Sequence, residues 1–351
     1  MKKVIIIGAD RAQAIEKAFN STIRSKQIHE AVLFVENFKG DFSMNFGYGG
    51  RNIDSPFLMA SITKLFTTAC ILILQEQKKL SLDHYVEDYF DETTLSGLHI
   101  YKGKDYSRKL ILSDLLFQTS GLPDWFEEGG VKMLTVQKDF SITFEEMLAN
   151  IKALNPHFAP PSSKKAYYSD INFDLLGEII EKVAQMPLEE AYRKLIYNPL
   201  GLKNTYLPIS SNDFVPNIYY KNESLHRPNL IMCCRASGGG ISTARELMLF
   251  LKAFFNGSLF PLSIFQKLSV YRKLQKTMGP IYYGGGYMQI PMSTANTLFM
   301  GKGELLGHTG TTGSFAFYYP NKDLYIVGDL NQMANPSRPI RLAMKLAMTV
   351  K

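Results

Sequence analysis

The sequence predicts an α/β (α+β) fold: an antiparallel sheet flanked by helices, built from both ends of the chain, with a mainly helical region inserted between them. Three observations carry this expectation. Short strand-like runs bounded by turn signals occur at Ala31–Val35 and Ser43–Tyr48, and such runs crowd together again after Arg235. From Leu110 to about Leu207 the signals are mainly helical, broken by loops rich in Gly and Pro. The run Leu65–Leu74 is apolar on nearly every face, the pattern of a helix buried inside a domain.

Taken in order, Arg11–Lys26 reads as a helix. The preceding Val4–Gly8 has the outline of a strand and turn that opens a dinucleotide fold. Its continuation, Gly8-Ala9-Asp10-Arg11-Ala12-Gln13, lacks the later glycines that let backbone approach a pyrophosphate. The two early strands flank the Lys39-Gly40 turn. A helix then starts near Ser61 and ends near Lys79. In the inserted region, Ser113–Leu116, Phe144–Leu154 and Asn172–Ala184 are helical. Ser242-Thr243-Ala244-Arg245-Glu246 reads as a capped helix start, the helix running to Phe255. Strands are expected at Tyr287–Ile290, Thr297–Met300, Ser314–Tyr319 and Leu324–Leu330, and a last helix from about Pro339 to Val350.

Composition narrows the function. The 351 residues are 46% hydrophobic and 20% charged with no low-complexity tract, so the chain reads as folded throughout. The formal charge is +7, but Lys and Arg are scattered, which gives no nucleic-acid footprint. Three cysteines, Cys70 and the adjacent Cys233 and Cys234, make no disulfide framework, and Cys70 falls in the buried helix. The six histidines form no metal-spaced cluster, so neither a metal nor an organic cofactor is expected. No stretch reaches the apolar length of a membrane span. The charged N-terminus has too short an apolar core for a clear signal peptide, and leaves cytoplasm and cell envelope both open.

The chemistry centres on Ser61-Ile62-Thr63-Lys64. At the start of a helix this spacing puts Ser61 and Lys64 on one face, one turn apart. Serine is a poor nucleophile unless a neighbouring base takes its proton, and an amine one turn away is such a base. The helix start adds unpaired N–H groups that can steady an oxyanion. A lone S-x-x-K pattern is weak, because a serine cap with a solvated lysine gives the same four letters. Three further stretches strengthen it: Leu112–Pro123, Tyr167-Tyr168-Ser169-Asp170 and Gly307-His308-Thr309-Gly310-Thr311-Thr312-Gly313.

With these landmarks in order, the chain resembles the serine β-lactamase and penicillin-binding superfamily. It is nearest the class C β-lactamases and their DD-peptidase, esterase and D-aminopeptidase relatives. The resemblance runs from about Ala31 to Asn331 and includes Phe158-Ala159-Pro160-Pro161, Asn198–Thr205 and Gly238–Thr243. It implies a single β-lactamase-like domain over residues 1–351, its α/β part about 1–80 and 231–351 and its helical part about 81–230. It implies Ser61 as nucleophile, Lys64 as its proton acceptor and Tyr168 as proton shuttle to the leaving group. His308, Thr309 and Gly310 match the motif on the strand lining the cleft, and the N–H groups of Ser61 and Thr311 would form the oxyanion hole. Tyr167, beside Tyr168, reads as core or interface. Trp125 and Phe126 read equally as cleft wall or packing.

One position departs from the pattern. Many relatives carry Tyr-x-Asn where this chain has Asp170. Asparagine donates and accepts, whereas ionised aspartate only accepts. The donor that holds a substrate carbonyl would be missing, and Asp170 would either pair with Lys64 and keep it charged or repel an acidic substrate, which argues against efficient β-lactam hydrolysis. The expectation is a serine hydrolase that forms an acyl-enzyme on Ser61, a penicillin-binding or peptidase-like enzyme for peptide or amide substrates. Its substrate is a small molecule or a peptide, peptidoglycan fragments among the candidates. Carboxylesterase, true β-lactamase and non-catalytic cell-wall binding protein are the alternatives.

Overall fold

The computed structural model describes residues 2–161, 164–293 and 297–349. Its frame is an eight-stranded antiparallel sheet. The strands are β1 (Ala31–Asn37), β2 (Ser43–Tyr48), β3 (Arg272–Lys273), β4 (Tyr282–Tyr283), β5 (Met288–Pro291), β6 (Glu304–Thr309), β7 (Ser314–Tyr319) and β8 (Leu324–Asp329). Their order across the sheet is β2-β1-β8-β7-β6-β5-β4-β3. The N-terminal hairpin thus joins the C-terminal strands through β1 and β8, with Val32 opposite Asp329 and Phe34 opposite Val327. Every residue of β8 is buried, as befits a strand covered on both faces.

Five longer helices complete the frame: α1 (Lys2–Ile23), α2 (Thr63–Glu76), α3 (Ile171–Ala184), α4 (Ala244–Asn256) and α5 (Ser337–Thr349). α4 packs on β1, β7 and β8, while α1 and α5 pack on each other and on the sheet. α4 starts where the Thr243 hydroxyl caps the Glu246 N–H at 3.2 Å. α2 is the central element, with eleven buried residues, and Phe66 stacks on Phe250 of α4 at 3.6 Å. α3 lies beside α2. A Cβ on its Gly177 would sit 2.5 Å from the Ala236 Cβ, so glycine lets the Arg235–Gly238 turn close against it. No helix among the described residues is long and apolar enough to cross a membrane.

The structure corrects the sequence reading in places. Val4–Gly8 belongs to α1 and is not a strand. Its β-branched run favours a strand only where a sheet edge offers a partner. Thr297–Met300 is a turn: Leu298 and Phe299 take left-handed φ values of 50° and 60°, which break the pleat. The strand of that region is β6 instead, whose composition, Glu-Leu-Leu-Gly-His-Thr, hides it. α2 ends at Glu76, a few residues before Lys79. The inserted region also holds two small hairpins, Ile100–Tyr101 with Lys104–Asp105 and Ile218–Tyr220 with Glu223–Leu225. Val350 lies outside the described residues.

Candidate active site

Ser61 sits in a single 3-10 turn, Ala60–Ile62, that leads into α2. The residue before it, Ala60, has a φ of 46°, a left-handed conformation that costs a non-glycine residue about 1–3 kcal/mol. The turn is held from both sides. The short strand Phe57–Leu58 pairs with Ile241–Ser242, and the Met59 N–H donates to the Gly240 carbonyl at 2.8 Å. From the sheet, the Ser314 hydroxyl donates to the Met59 carbonyl at 2.7 Å. A Cβ on Gly310 would lie 2.2 Å from Ser314 Oγ and 2.5 Å from that carbonyl oxygen, so glycine is required for the end of β6 to reach the Ser61 turn.

One helical turn on, Lys64 is fully buried. Its Nζ donates to Ser61 Oγ at 3.2 Å, to Asp170 Oδ1 at 2.6 Å and to the Ser237 carbonyl at 2.5 Å. Three acceptors match the three hydrogens of an ammonium, and a neutral amine has only two. The same Nζ lies 5.1 Å from the centre of the Tyr168 ring and 5.6 Å from that of Phe173.

The helical wall of the site is the segment running into α3. Tyr168 is held by Gln275, whose Oε1 accepts from the Tyr168 N–H at 2.9 Å. Ser169 N–H donates to Gln118 Oε1 at 3.0 Å. The Tyr168 hydroxyl is buried with no partner of ordinary hydrogen-bond geometry among the described residues. Burial first, then the charge of Asp170, pushes this phenol well above its ordinary range, with the Ser61 hydroxyl acting the other way. It is therefore a neutral O–H and not a phenolate.

Asp170 does not stand alone. Asp124 Oδ1 accepts from the Asp170 N–H at 3.2 Å and from the Phe126 N–H at 3.3 Å. Burial, followed by the negative charge of Asp170, raises the Asp124 carboxyl well above the carboxylate range. One turn further along α3, Asp174 accepts from Trp125 Nε1 at 2.9 Å, and burial with the Asp170 charge lifts it to about 7. Three carboxyl groups thus surround one ammonium, and two of them favour the protonated form. Trp125 is a fully buried packing residue, whereas Phe126 faces the cavity.

The opposite wall is the end of β6. Thr309, Gly310 and Thr311 line a cavity of about 440 Å³ together with Ser61, Tyr168 and Asp170. Lys64 lies beneath its floor. Neither the Ser61 N–H, in the opening turn of its helix, nor the Thr311 N–H, past the end of β6, takes a backbone acceptor among the described residues.

His308 is the exception among the expected residues. It is fully buried behind Tyr168, with ring centres 5.9 Å apart, and does not line the cavity. Its Nδ1 lies 2.8 Å from the Thr309 carbonyl oxygen, which only accepts, so Nδ1 carries the hydrogen. Nε2 then accepts from the Tyr283 hydroxyl at 3.4 Å. Burial first and the Lys64 charge second lower His308 to about 3, so it is a neutral ring supporting Tyr168. Alternation along β6 explains this: Thr309 faces the cavity, so its neighbour points away.

Sequence reasoning missed Asp124, Asp174, Gln118, Ser237 and Gln275, and read Tyr167 as core or interface. Tyr167 lines the cavity, stacked on His157 at 3.5 Å. The remaining walls are Phe126, Met278, Ile281, Met288, Met333 and Ile340, with Glu127, Glu128 and Lys132 among the polar lining residues. Among the described residues no group of His, Cys, Asp and Glu gathers as metal ligands do.

Comparison with known proteins gives the family and the fold. The family model described as Beta-lactamase matches residues 39–348. A methylbutanoyltransferase of Penicillium citrinum is 29% identical over 210 residues, which are 54% of this chain and 49% of that protein. A putative D-alanyl-D-alanine carboxypeptidase of Salmonella gallinarum is 26% identical over 298 residues, covering 77% of this chain and 67% of the relative. The chain thus spans about half the length of the first and two thirds of the second. Among solved structures, a D-stereospecific amidohydrolase from Streptomyces sp. superposes with a TM-score of 0.74 at 24% identity, covering 94% of this chain and 97% of that one. The chain belongs to the β-lactamase family and carries the mixed α/β fold of its hydrolases.

Proposed function

We propose that this protein is a serine hydrolase that forms an acyl-enzyme on Ser61 and acts on peptide or amide substrates, in the manner of the penicillin-binding peptidases. The observation that carries the reading is the contact of Lys64 Nζ with Ser61 Oγ at 3.2 Å, under a cavity into which an unpartnered phenol also faces. Non-catalytic binding requires none of these three groups together.

The proton route follows from the contacts. In the resting state Lys64 is an ammonium and Asp170 its carboxylate partner. Release of one Lys64 proton to water, which the neighbouring Asp170 charge opposes, leaves a neutral amine 3.2 Å from Ser61 Oγ. As Oγ attacks the substrate carbonyl carbon, its proton passes to Lys64, and the N–H groups of Ser61 and Thr311 stabilise the oxyanion. The Tyr168 phenol then protonates the leaving nitrogen and recovers a proton from Lys64. The C–N bond breaks, an ester to Ser61 forms, and the proton lost by Ser61 ends on the leaving amine. Water reverses the sequence to release the acid.

Two names among the relatives, a D-alanyl-D-alanine carboxypeptidase and a D-stereospecific amidohydrolase, support D-configured amides as the substrate class. Asp170 favours a second reading, ester cleavage or acyl transfer to an alcohol, because an ester needs no amide donor at that position. The test is turnover of an acylated D-alanyl-D-alanine, its L,L counterpart and an aryl ester. The proposal expects D-amide cleavage that Ser61→Ala abolishes. Ester turnover with no cleavage of either peptide would replace it by the esterase reading, and turnover surviving Ser61→Ala would overturn both.

A further inference from the structure

Ser61 stands where two hollows meet. One is the cavity of about 440 Å³, and the other is a recess of about 50 Å³. Ser61, Phe126, Asp170, Thr311 and Met333 line both. Tyr168, Glu127, Glu128 and Lys132 border only the larger one, whereas Leu58, Ile218, Leu230 and Ile231 border only the recess. The polar residues at the recess are engaged elsewhere. Arg227 gives its guanidinium to the Thr135 and Val136 carbonyls, at 2.6 and 3.0 Å, and the Thr312 hydroxyl donates to the Leu58 carbonyl at 3.3 Å. Burial holds the Cys234 thiol well above its ordinary range, so it lines the recess as an uncharged sulfur.

A substrate of acyl transfer has two halves that diverge from its carbonyl carbon. The acyl half becomes bound to Ser61, and the other half leaves. With the carbonyl oxygen between the N–H groups of Ser61 and Thr311, each half must enter one of the two hollows. The leaving atom takes its proton from Tyr168 in the reading of Ser61 given above, and Tyr168 borders only the larger cavity. The leaving half therefore occupies the larger cavity, and the acyl half faces the recess.

We propose that the recess is a size-limiting pocket for the acyl half, taking an apolar chain of up to about four carbon atoms. Its volume of about 50 Å³ is room for about three or four water-sized groups, at about 10–15 Å³ each. For an ester the occupant is the acyl chain itself. For an amino-acid amide it is the side chain on the α-carbon, so alanine or valine fits and phenylalanine does not. This rests on the reading of Ser61 as the acylated group, and adds which half of the substrate is restricted and to what size.

The wall of the recess offers a substitution that fills it without strain. A Cβ on Gly238 would lie 3.6 Å from the Cys234 Cβ and 3.8 Å from the Ala60 carbonyl carbon, ordinary contact distances, and all three residues border the recess. Gly238→Ala therefore narrows the recess, and Ile231→Ala widens it.

The experiment measures kcat/KM for aryl esters that share one leaving group and carry acetyl, butanoyl, hexanoyl or octanoyl chains. Wild type should hold its rate through butanoyl and fall about tenfold or more by octanoyl, the scale on which an apolar pocket rejects misfit methylenes. Gly238→Ala should leave the acetyl ester little changed and lower the butanoyl ester about tenfold, while Ile231→Ala should raise hexanoyl relative to butanoyl. A wild-type rate that is flat or rises through octanoyl would overturn the recess. So would a Gly238→Ala effect equal for acetyl and butanoyl. Should a variant not fold, the wild-type series decides alone. Acyl adducts are mapped by mass in parallel: a series in which no ester acylates Ser61 would remove the reading of Ser61 itself, and this pocket with it.

Discussion

On the sheet side of the Ser61 cavity, the polar groups that hold the Ser61 turn are satisfied close to the chain that carries them, and the Thr311 N–H is left open. The Gly310 N–H and the Thr309 hydroxyl both donate to the Ser314 carbonyl, at 2.8 and 3.0 Å, and the Ser314 hydroxyl ties the Ser61 turn to the strand. On the helical side the opposite holds. The Tyr168 hydroxyl and Asp174 Oδ1 are buried without ordinary partners, and Asp124, Asp170 and Asp174 crowd three carboxyls around Lys64. One wall fixes the Ser61 turn through close hydrogen bonds. The other gathers buried groups whose protonation their surroundings shift, which is where the proposed proton transfer would occur.

The comparison breaks if a residue of the helical wall proves inert. The largest effect is expected at Tyr168: Tyr168→Phe removes only the phenolic O–H, and turnover should fall about 10²-fold or more with the fold intact. Unchanged turnover would remove Tyr168 from the proton route. On the sheet wall, Gly310→Ala forces a methyl onto backbone and should cost about 1–3 kcal/mol of stability by overpacking, read from the denaturation midpoint. A variant as stable as wild type would show that this wall yields.

A smaller effect, of opposite sign, is expected at Asp170. Asp170→Asn restores an amide donor and removes a charge from beside Lys64 and Tyr168, so acylation by a penicillin should rise about tenfold. Ester turnover is the control. An equal or slower penicillin rate would mean that the carboxylate has a positive role of its own. The smallest effect concerns stability against pH. Burial raises Asp174 to about 7, so the folded protein holds a proton that the unfolded chain releases. Stability should therefore rise as pH falls from about 8 to 5. Asp174→Asn should raise the melting temperature at pH 8 and gain less at pH 5. A gain independent of pH would contradict the assignment.

The contrast between walls also explains what was legible in the sequence. Ser61 and Lys64 could be set side by side because a helix fixes their spacing locally, whereas Thr309–Thr311 were named through the family resemblance, and the structure brings all of them to one site. The carboxyl cluster was not readable. Asp124 follows Leu122-Pro123 in a loop and looks like any turn aspartate, and only the fold brings it beside Asp170. His308 misled for the same reason, since one step along an alternating strand separates cavity from core. The sheet built from both chain ends was visible in the strand runs, whereas β3 and β4 are two residues each and give no periodic signal.

The central claim is that the sheet wall presents Ser61 as the group that becomes acylated. Intact-mass measurement after exposure to a penicillin, an activated ester and a fluorophosphonate tests it most directly. At least one reagent should add a single acyl or phosphonyl mass that maps to the peptide containing Ser61 and disappears in Ser61→Ala. An adduct that persists in the alanine variant, or maps elsewhere, would contradict the account.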